Sequence, residues 1–152
     1  MYRLLCDPAL YTFEHAAPDS EAALRQRFER LASRRSPDGL QHWLNWVLRQ
    51  RSDGALIGFV QATVREDGRA LVAYVLGSGH WGHGLATEAV QAMLVELNSV
   101  WQVPQALAVF KRANQRSRAL LQRLGFAEPG AAEAEALALE ADEDVLVLRW
   151  PA

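Results

Sequence analysis

The stretch "LGSGHWGHGLATEAV", residues 76–90, holds four glycines and two histidines and then becomes apolar. Its second half places Leu85, Ala86, Ala89 and Val90 at helical spacing. A glycine turn lets the backbone approach a ligand closely, and the first N–H groups of a helix have no partner within it. Those donors lie at the positive end of the helix dipole and can bind phosphate. The stretch predicts a phosphate-holding turn, with a plain turn as the alternative.

Other uses of these glycines are disfavoured by the neighbouring sequence. Residues 77–82 read Gly-x-Gly-x-x-Gly, but a dinucleotide site needs an acidic residue about 20 positions later, and none occurs between residues 96 and 128. A Walker loop ends in Gly-Lys-Ser/Thr, whereas leucine and alanine follow the last glycine here. His80 and His83 suggest a metal loop, yet no cysteine or carboxylate accompanies them at ligand spacing, so we expect no metal.

Composition indicates one globular domain. The chain has 152 residues, 50% hydrophobic and 22% charged, which is enough to bury a core. The formal net charge of −2 argues against nucleic-acid binding by bulk charge, and the single cysteine, Cys6, fits a reducing compartment. Residues 1–8 lack the apolar run of a signal peptide, and no run of about 18 apolar residues occurs. We expect a cytoplasmic domain over residues 1–152, without membrane or nucleic-acid partners.

The hydrophobic pattern predicts strands before the glycine turn and alternating elements after it. Asp-Gly turns separate three β-forming runs, which favours an antiparallel meander. An alanine-rich tail, residues 131–141, allows a helix as well as a strand. The sum is an α+β fold, a mixed sheet with inserted helices. Strands are expected over residues 43–51, 55–64, 70–76, 106–110, 134–140 and 145–150, and helices over residues 19–33, 85–99 and 114–125.

The stretch "NQRSRALLQRLGF", residues 114–126, predicts a second helix of interest. Asn114 is suited to cap its N-terminus and Gly125 to end it. Ser117 shares one helix face with the leucines at i+3, i+4 and i+7, so its side chain turns inward. The residue is either a small buried serine bonded to the preceding turn or a hydroxyl directed at a ligand between the two helices.

Together these motifs resemble the GNAT superfamily of N-acetyltransferases. Residues 81–86, Trp-Gly-His-Gly-Leu-Ala, are similar to its acyl-CoA motif Gln/Arg-x-x-Gly-x-Gly/Ala. Trp81 replaces the Gln or Arg, which is typical of the branch of ribosomal-protein N-terminal acetyltransferases, and residues 114–126 are similar to that branch's Asn-x-x-Ser…Leu-Gly-Phe segment. The resemblance covers residues 43–126. It implies a mixed, mostly antiparallel sheet of about six or seven strands with inserted helices and a splayed central strand pair.

The resemblance also implies acetyl-CoA as a co-substrate. Its pantetheine arm would lie between the splayed strands, residues 70–76 and 106–110, and its pyrophosphate on the backbone of the glycine turn. Ser117 would lie near its sulfur. Contacts with acetyl-CoA are expected at Val75, Leu76, Trp81, Gly82, His83, Gly84, Leu85, Ala86, Thr87, Asn114 and Ser117, and contacts with its ribose phosphate at Lys111, Arg112 and Arg116.

The reaction that this resemblance implies is attack of a primary amine on the thioester. A main-chain N–H near Leu76 would stabilise the charge on the acetyl oxygen, and Ser117 would protonate the leaving thiolate. Many relatives carry a glutamate base two or three residues before the strand tyrosine, Tyr74 here, whereas residues 71 and 72 of this chain are apolar. The candidates for relaying a water instead are Tyr74, His80 and Gln61.

The acceptor amine is left open, as a small molecule or a protein N-terminus. Trp43, Trp46 and Gln61 lie on the strands expected to face it, although a core position or a homodimer surface is the favoured interpretation of the two tryptophans. The missing glutamate favours a second hypothesis, a catalytically silent acyl-CoA-binding or interaction module on the same fold. A nucleotide-binding protein of another fold is a third, disfavoured because no acidic residue follows Glu96 at the required distance.

Overall fold

The computed structural model describes residues 1–13, 16–137 and 139–151. Its strands are β1 (His42–Arg49), β2 (Leu56–Val64), β3 (Ala70–Leu76), β4 (Gln105–Lys111) and β5 (Glu143–Arg149). They form one sheet in the order β1-β2-β3-β4-β5. Neighbouring strands are antiparallel except β3 and β4, which are parallel.

The helices precede and interrupt the sheet. Ser20 caps the second helix, because its side chain accepts a hydrogen bond from the N–H of Ala23 at 3.0 Å. Asn114 caps the fourth helix in the same way and accepts from the N–H of Ser117 at 3.1 Å. Within the described residues, none of the helices is long and apolar enough to cross a membrane. The helices are α1 (Tyr2–Leu5), α2 (Glu21–Leu31), α3 (Leu85–Ser99), α4 (Gln115–Arg123) and α5 (Ala131–Ala136).

One face of the sheet packs on α3 and α4. Val60 and Ala62, two residues apart on β2, are buried together with Val90 and Leu97 of α3 and Leu121 of α4. This agrees with the period of two in a strand and of about 3.6 in a helix. Each fully buried leucine or valine stabilises the fold by about 1.5–3 kcal/mol, so this layer holds α3 and α4 against the sheet.

The centre of the sheet opens between β3 and β4. The two strands pair only at Ala70 with Ala106 and at Leu71 with Leu107, although β3 continues to Leu76. Beyond those pairs the strands diverge, and a cavity lies between their C-terminal halves. The splayed central strand pair that the family resemblance implies is thereby confirmed, as is the α+β class.

The predicted meander and the helices over residues 85–99 and 114–125 are confirmed within about one or two residues. The described part of the sheet has five strands, fewer than expected. The expected strand over residues 134–140 is wrong, because α5 occupies residues up to Ala136 and the following described residues form no strand. Alanine and glutamate are strong helix formers, and this tail lacks the β-branched residues that favour a strand. Residue 138, within that tail, lies outside the described residues.

Ion pairs hold α4 against β5. Arg118 of α4 donates to Asp144 at 2.6 Å and to Glu128 at 2.8 Å, and Arg112 donates to Asp144 at 3.1 Å. The hydrogen bond from Arg118 holds the pKa of Asp144 below its usual range. Because Arg118 follows Ser117, these bonds help to orient the turn of α4 that carries Ser117.

β2 and β3 approach each other closely at Gly58. This residue pairs with Leu76, and a Cβ at Gly58 would lie 2.1 Å from the carbonyl oxygen of Val75 and 3.0 Å from Cα of Leu76. Only a residue without a side chain permits this approach. Gly58 therefore sets where the last two residues of β3 lie, directly before the glycine turn.

We predict that Gly58→Ala lowers the free energy of unfolding by about 1–3 kcal/mol, because the backbone of β3 must move to admit the methyl group. Urea or thermal unfolding measures the change. Gly79→Ala is the matched control, since Gly79 is exposed and a Cβ there has no heavy atom within 4 Å. The control should stay within about 0.5 kcal/mol of the parent. Equal stability of the two variants would contradict the close approach.

Candidate active site

A cavity of about 930 Å³ lies at the opening between β3 and β4. It reaches from the glycine turn and the first turns of α3 and α4 to the N-terminal segment and α2. Its lining residues come from both faces of the sheet, because the gap passes between the strands. Its lining includes Leu5, Leu10, Tyr11, Phe13, Leu24, Arg27, Phe59, Gln61, Tyr74, Val75, Leu76, His80, Trp81, Gly82, Gly84, Leu85, Ala86, Thr87, Asn114, Arg116 and Ser117.

The glycine turn presents the N-terminus of α3 to this cavity. Gly84 is the N-cap residue in the left-handed conformation, with φ of 76°, and Gly82 has φ of 78°. A Cβ on either glycine would meet no heavy atom within 4 Å, so the space beside the backbone is open. No side chain caps the helix, and its first internal bond runs from Glu88 N–H to Gly84 O at 3.0 Å. The N–H groups of residues 85–87 therefore precede the internal bonding of α3.

Trp81 connects the turn to both neighbouring elements. Its indole N–H donates to the carbonyl oxygen of Leu76 at 2.7 Å. The guanidinium carbon of Arg116 lies 4.6 Å from the centre of the Trp81 ring, within cation–π distance. Trp81 thus joins the end of β3 to the first turn of α4 across the mouth of the cavity.

The main chain of β3 alternates between β2 and the gap. The N–H of Gly77 donates to Ile57 at 2.9 Å and extends the ladder to β2. In an antiparallel ladder every second residue bonds to the partner strand. The main-chain N–H and C=O groups of Val75 therefore point to β2. Those of Tyr74 and Leu76 point the other way, toward β4. Of the two residues predicted to hold pantetheine, Leu76 thus presents its main chain to the gap and Val75 lines the cavity.

Ser117 and Tyr74 lie together inside the cavity although 43 residues separate them. Their hydroxyl oxygens are 2.7 Å apart, and either hydroxyl can be the donor. The main-chain N–H of Ser117 donates a hydrogen bond to the side-chain oxygen of Asn114 at 3.1 Å. Asn114 therefore acts as the helix cap. The two predicted catalytic residues share one hydrogen bond, which offers a path for a proton.

Charge along the described lining is positive. The charged lining residues are Arg27, Arg116 and Arg123, and no carboxylate occurs among the lining residues that the structure describes. Neither Arg27 nor Arg116 forms an ion pair with a described carboxylate. No cluster of three potential metal ligands occurs in the described parts of the chain.

Lys111 and Arg112, the other two residues predicted to contact the ribose phosphate, bind carboxylates outside the cavity lining. Lys111 donates to Glu140 at 2.6 Å and to Asp142 at 3.0 Å, and these bonds raise its pKa. Arg112 donates to Asp144. Neither residue lines the cavity. Of the three basic residues singled out in the sequence, only Arg116 faces it.

The N-terminal segment closes the other side of the cavity. Asp7 accepts a hydrogen bond from the hydroxyl of Ser78, which lowers the pKa of Asp7 and joins this segment to the glycine turn. Tyr11 donates its hydroxyl proton to the carbonyl of Leu5, and burial raises the pKa of Tyr11. Leu5 is buried and Tyr11 is half-buried. The segment is thus bonded to the glycine turn through Asp7, before the short 3₁₀ turn of residues 8–11, and to itself through Tyr11 at the end of that turn.

The three predicted acceptor-facing residues separate in space. Gln61 lines the cavity, whereas Trp43 and Trp46 do not. Trp46 pairs with Val60 and packs on the cluster shared with α3, while Trp43 lies on the opposite face and donates its indole N–H to Gln41 at 3.2 Å. Positions 43 and 46 differ by an odd number, so a strand sends their side chains to opposite faces. His83, predicted to contact the cofactor, is exposed and outside the lining.

Sequence reasoning missed the N-terminal wall. Arg27 lies one helical turn after Leu24, the buried residue of α2, and both line the cavity with Tyr11 and Phe59. The amphipathic pattern of α2 indicates that Leu24 faces inward, and i, i+3 spacing then places Arg27 on the same side. That pattern was a usable signal for Arg27. No local pattern indicates that this helix lies over the gap.

Comparison with known families identifies the class. The acetyltransferase (GNAT) domain family matches residues 1–127, so the chain belongs to the GNAT acetyltransferase family, a family of acyltransferases. The family resemblance of the two sequence motifs is thereby confirmed. No curated protein sequence matches the chain.

Solved structures share the fold at low sequence identity. A chimeric spermidine N-acetyltransferase from Vibrio cholerae has 16% identity and a TM-score of 0.75, covering 97% of this chain and 86% of the other. A ribosomal-protein-S5-alanine acetyltransferase from Vibrio fischeri has 19% identity and a TM-score of 0.75, with coverages of 97% and 84%. A GNAT acetyltransferase from Bacillus anthracis has 13% identity, a TM-score of 0.75 and coverages of 98% and 86%. At this identity the similarity establishes the fold.

We predict that Trp81→Phe loosens the glycine turn while the protein stays folded. Phenylalanine keeps a ring under Arg116 but lacks the N–H that bonds to Leu76, a loss of about 0.5–1.5 kcal/mol. Hydrogen–deuterium exchange of peptides over residues 77–84 should become about 2- to 10-fold faster. Trp43→Phe is the control, because it also loses one indole hydrogen bond but outside this turn. The same exchange rate in both variants would show that the Trp81 bond does not hold the turn.

Proposed function

We propose that the protein is an acetyl-CoA-dependent N-acetyltransferase that moves an acetyl group to a primary amine. The observation that carries the proposal is the glycine turn and the N-terminus of α3 opening into one cavity with the Tyr74–Ser117 pair. The phosphate-binding element and the candidate proton donor thus lie at two places along a single gap between splayed strands. Membership of the GNAT family supports acyl transfer as the chemistry.

The residues at the turn fit the phosphates of acetyl-CoA. Open space beside Gly82 and Gly84 admits an oxyanion close to the backbone, and the N–H groups of residues 85–87 supply donors. Arg116 adds a cation at the same mouth, on the ring of Trp81. No carboxylate among the described lining residues opposes an anion. These residues would hold the pyrophosphate and ribose phosphate.

The edge of β3 would hold the pantetheine arm. Leu76 directs its main chain into the gap, where an amide of the arm could add to β3 as a neighbouring strand would. The N–H near Leu76 would also stabilise negative charge on the acetyl oxygen. Val75 and Ala86 would contribute contacts from the cavity wall. Asn114 would act by holding α4, and with it Ser117, in place.

Bound acetyl-CoA supplies a thioester: the amine nitrogen forms the C–N bond to the acetyl carbon, the C–S bond breaks, the amine releases a proton and the thiolate accepts one. Ser117 would donate the proton that the thiolate accepts, and Tyr74 would resupply it through the 2.7 Å bond. The walls of the cavity would hold the two reactants together, which accounts for much of the rate in such reactions.

The proton on the amine needs a route out. No carboxylate base is among the described lining residues, so water between Gln61, His80 and Tyr74 would carry it. An apolar, positively charged cavity itself disfavours the ammonium form of a bound amine and lowers its pKa. The second candidate function is a catalytically silent acyl-CoA-binding module, which the absence of a carboxylate base from the described lining favours.

We predict that Gly84→Asp weakens CoA binding at least about 10-fold, or about 1.4 kcal/mol, because it adds a side chain and a negative charge where phosphate would lie. Isothermal titration calorimetry with CoA measures the change. Gly79→Asp is the control: it adds the same charge five residues earlier in the chain, in open space outside the cavity lining. Unchanged affinity in Gly84→Asp would reject the pyrophosphate site.

We predict that Ser117→Ala lowers kcat by about 10²-fold with little change in CoA affinity, because proton donation to the thiolate occurs only in the transition state. Ser99→Ala is the control, since Ser99 is also a helical serine, but its hydroxyl donates to the carbonyl of Val95 at 2.7 Å and it lies outside the cavity lining.

The alternative role for Ser117 is structural. Its loss would then lower the free energy of unfolding by about 1 kcal/mol and leave kcat nearly intact. Measuring the melting temperature and kcat on the same variant separates the two roles. A fall in kcat of less than about 5-fold would mean that Ser117 only positions the reactants, since a thiol with a pKa of about 8.5 leaves fairly well unaided.

A further inference from the structure

The cavity has a second cation on the side away from the glycine turn. Arg27 lies on α2, one turn after the buried Leu24, and lines the cavity beside Tyr11. It forms no ion pair with any carboxylate in the described residues, whereas Arg112 and Arg118 both pair with Asp144 of β5. Arg116 accounts for anionic groups at the glycine turn. Arg27 is therefore a second cation of the lining, contributed by α2.

The walls around Arg27 are apolar and aromatic. Leu5, Leu10, Tyr11 and Phe13 come from the N-terminal segment, and Phe59 comes from the face of β2 that also carries Gln61. Tyr11 is half-buried, and this burial raises the pKa of its hydroxyl. The described lining on this side thus combines an apolar surface with one positive charge.

We propose, on the basis of the proposed function, that the acceptor is a small α-amino acid with an apolar or aromatic side chain, whose carboxylate binds Arg27. Guanidinium binds a carboxylate through paired hydrogen bonds, and the apolar walls would hold the side chain. The acceptor's amino group would then point toward Leu76 and the Tyr74–Ser117 pair.

This acceptor class also suits the chemistry at the amine. A carboxylate on the same molecule stabilises the ammonium form, and pairing with Arg27 removes that effect. Nearby positive charge and apolar walls favour the neutral, nucleophilic amine further. A polyamine would bring two or more ammonium groups into a described lining that offers arginines and no carboxylate. The spermidine-acetylating neighbour therefore shares the fold with this chain but would not share its acceptor.

The test compares acceptors that differ in one group. Acetylation of L-phenylalanine, L-phenylalaninamide, 2-phenylethylamine, a phenylalanyl tripeptide and spermidine is followed by mass detection of the products. Binding of N-acetyl-L-phenylalanine and of its amide to the enzyme is measured by calorimetry. The variants are Arg27→Gln, Arg27→Glu and the control Arg25→Gln, which is exposed on the same helix and outside the cavity lining.

The proposal expects the free amino acid to be the best acceptor. Arg27→Gln should raise its KM at least about 10-fold and leave the KM for acetyl-CoA and for the amide nearly unchanged. The carboxylate product should lose affinity by the same factor, whereas Arg25→Gln should match the parent. Arg27→Glu should turn the preference from the acid to the amide.

Three results would overturn the acceptor assignment alone: preference for spermidine, preference for the tripeptide, or equal KM values for acid and amide in the parent and in Arg27→Gln. Acetylation of no amine, together with CoA binding, would instead reject the transferase function and favour the silent module. In that case binding of the carboxylate product that depends on Arg27 would still support the carboxylate site, and absence of such binding would reject it.

Discussion

The arrangement of the whole site depends on one place where a β-ladder stops. β3 and β4 pair at Ala70 and Leu71 and then diverge, so the main chain at Leu76 faces a cavity instead of a neighbouring strand. Buried backbone groups need hydrogen-bond partners, so a parallel pair that opens in mid-sheet is stable only if something else meets those groups. The Trp81 indole meets the carbonyl of Leu76, and an extended ligand can add to the same edge.

The distribution of charge follows from the same opening. The formal net charge of the chain is −2, yet two sets of basic residues differ in whether they pair with carboxylates. Lys111, Arg112 and Arg118 bind acidic residues near β5 and strengthen the structure around α4. Arg27 of α2 and Arg116 of α4 both line the gap without an ion pair to any described carboxylate. The cavity is thereby prepared for anionic groups, although the chain as a whole is slightly acidic.

How much of the site can be predicted from sequence depends on how local each feature is. The conformations of Gly82 and Gly84, the cap at Asn114 and the inward direction of Ser117 follow from residues within one or two turns, and sequence patterns indicate all of them. The tail that forms α5 was ambiguous because alanine-rich segments satisfy both patterns. The tryptophans of β1 share a residue type but not a face, because their odd spacing sends their side chains to opposite sides of the strand.

The sequence by itself determined the meander of β1 to β3, the glycine turn before α3, the inward face of α4 and the family, because these rest on short-range spacing and on motifs of consecutive residues. Only the tertiary structure decided that the hydroxyls of Tyr74 and Ser117 lie 2.7 Å apart, that Lys111 is bound by Glu140 and Asp142, and that Arg27 faces the gap. Each of these depends on how distant segments pack over the opening between β3 and β4. Such packing is set by the sum of many weak apolar contacts, which no single stretch of sequence contains.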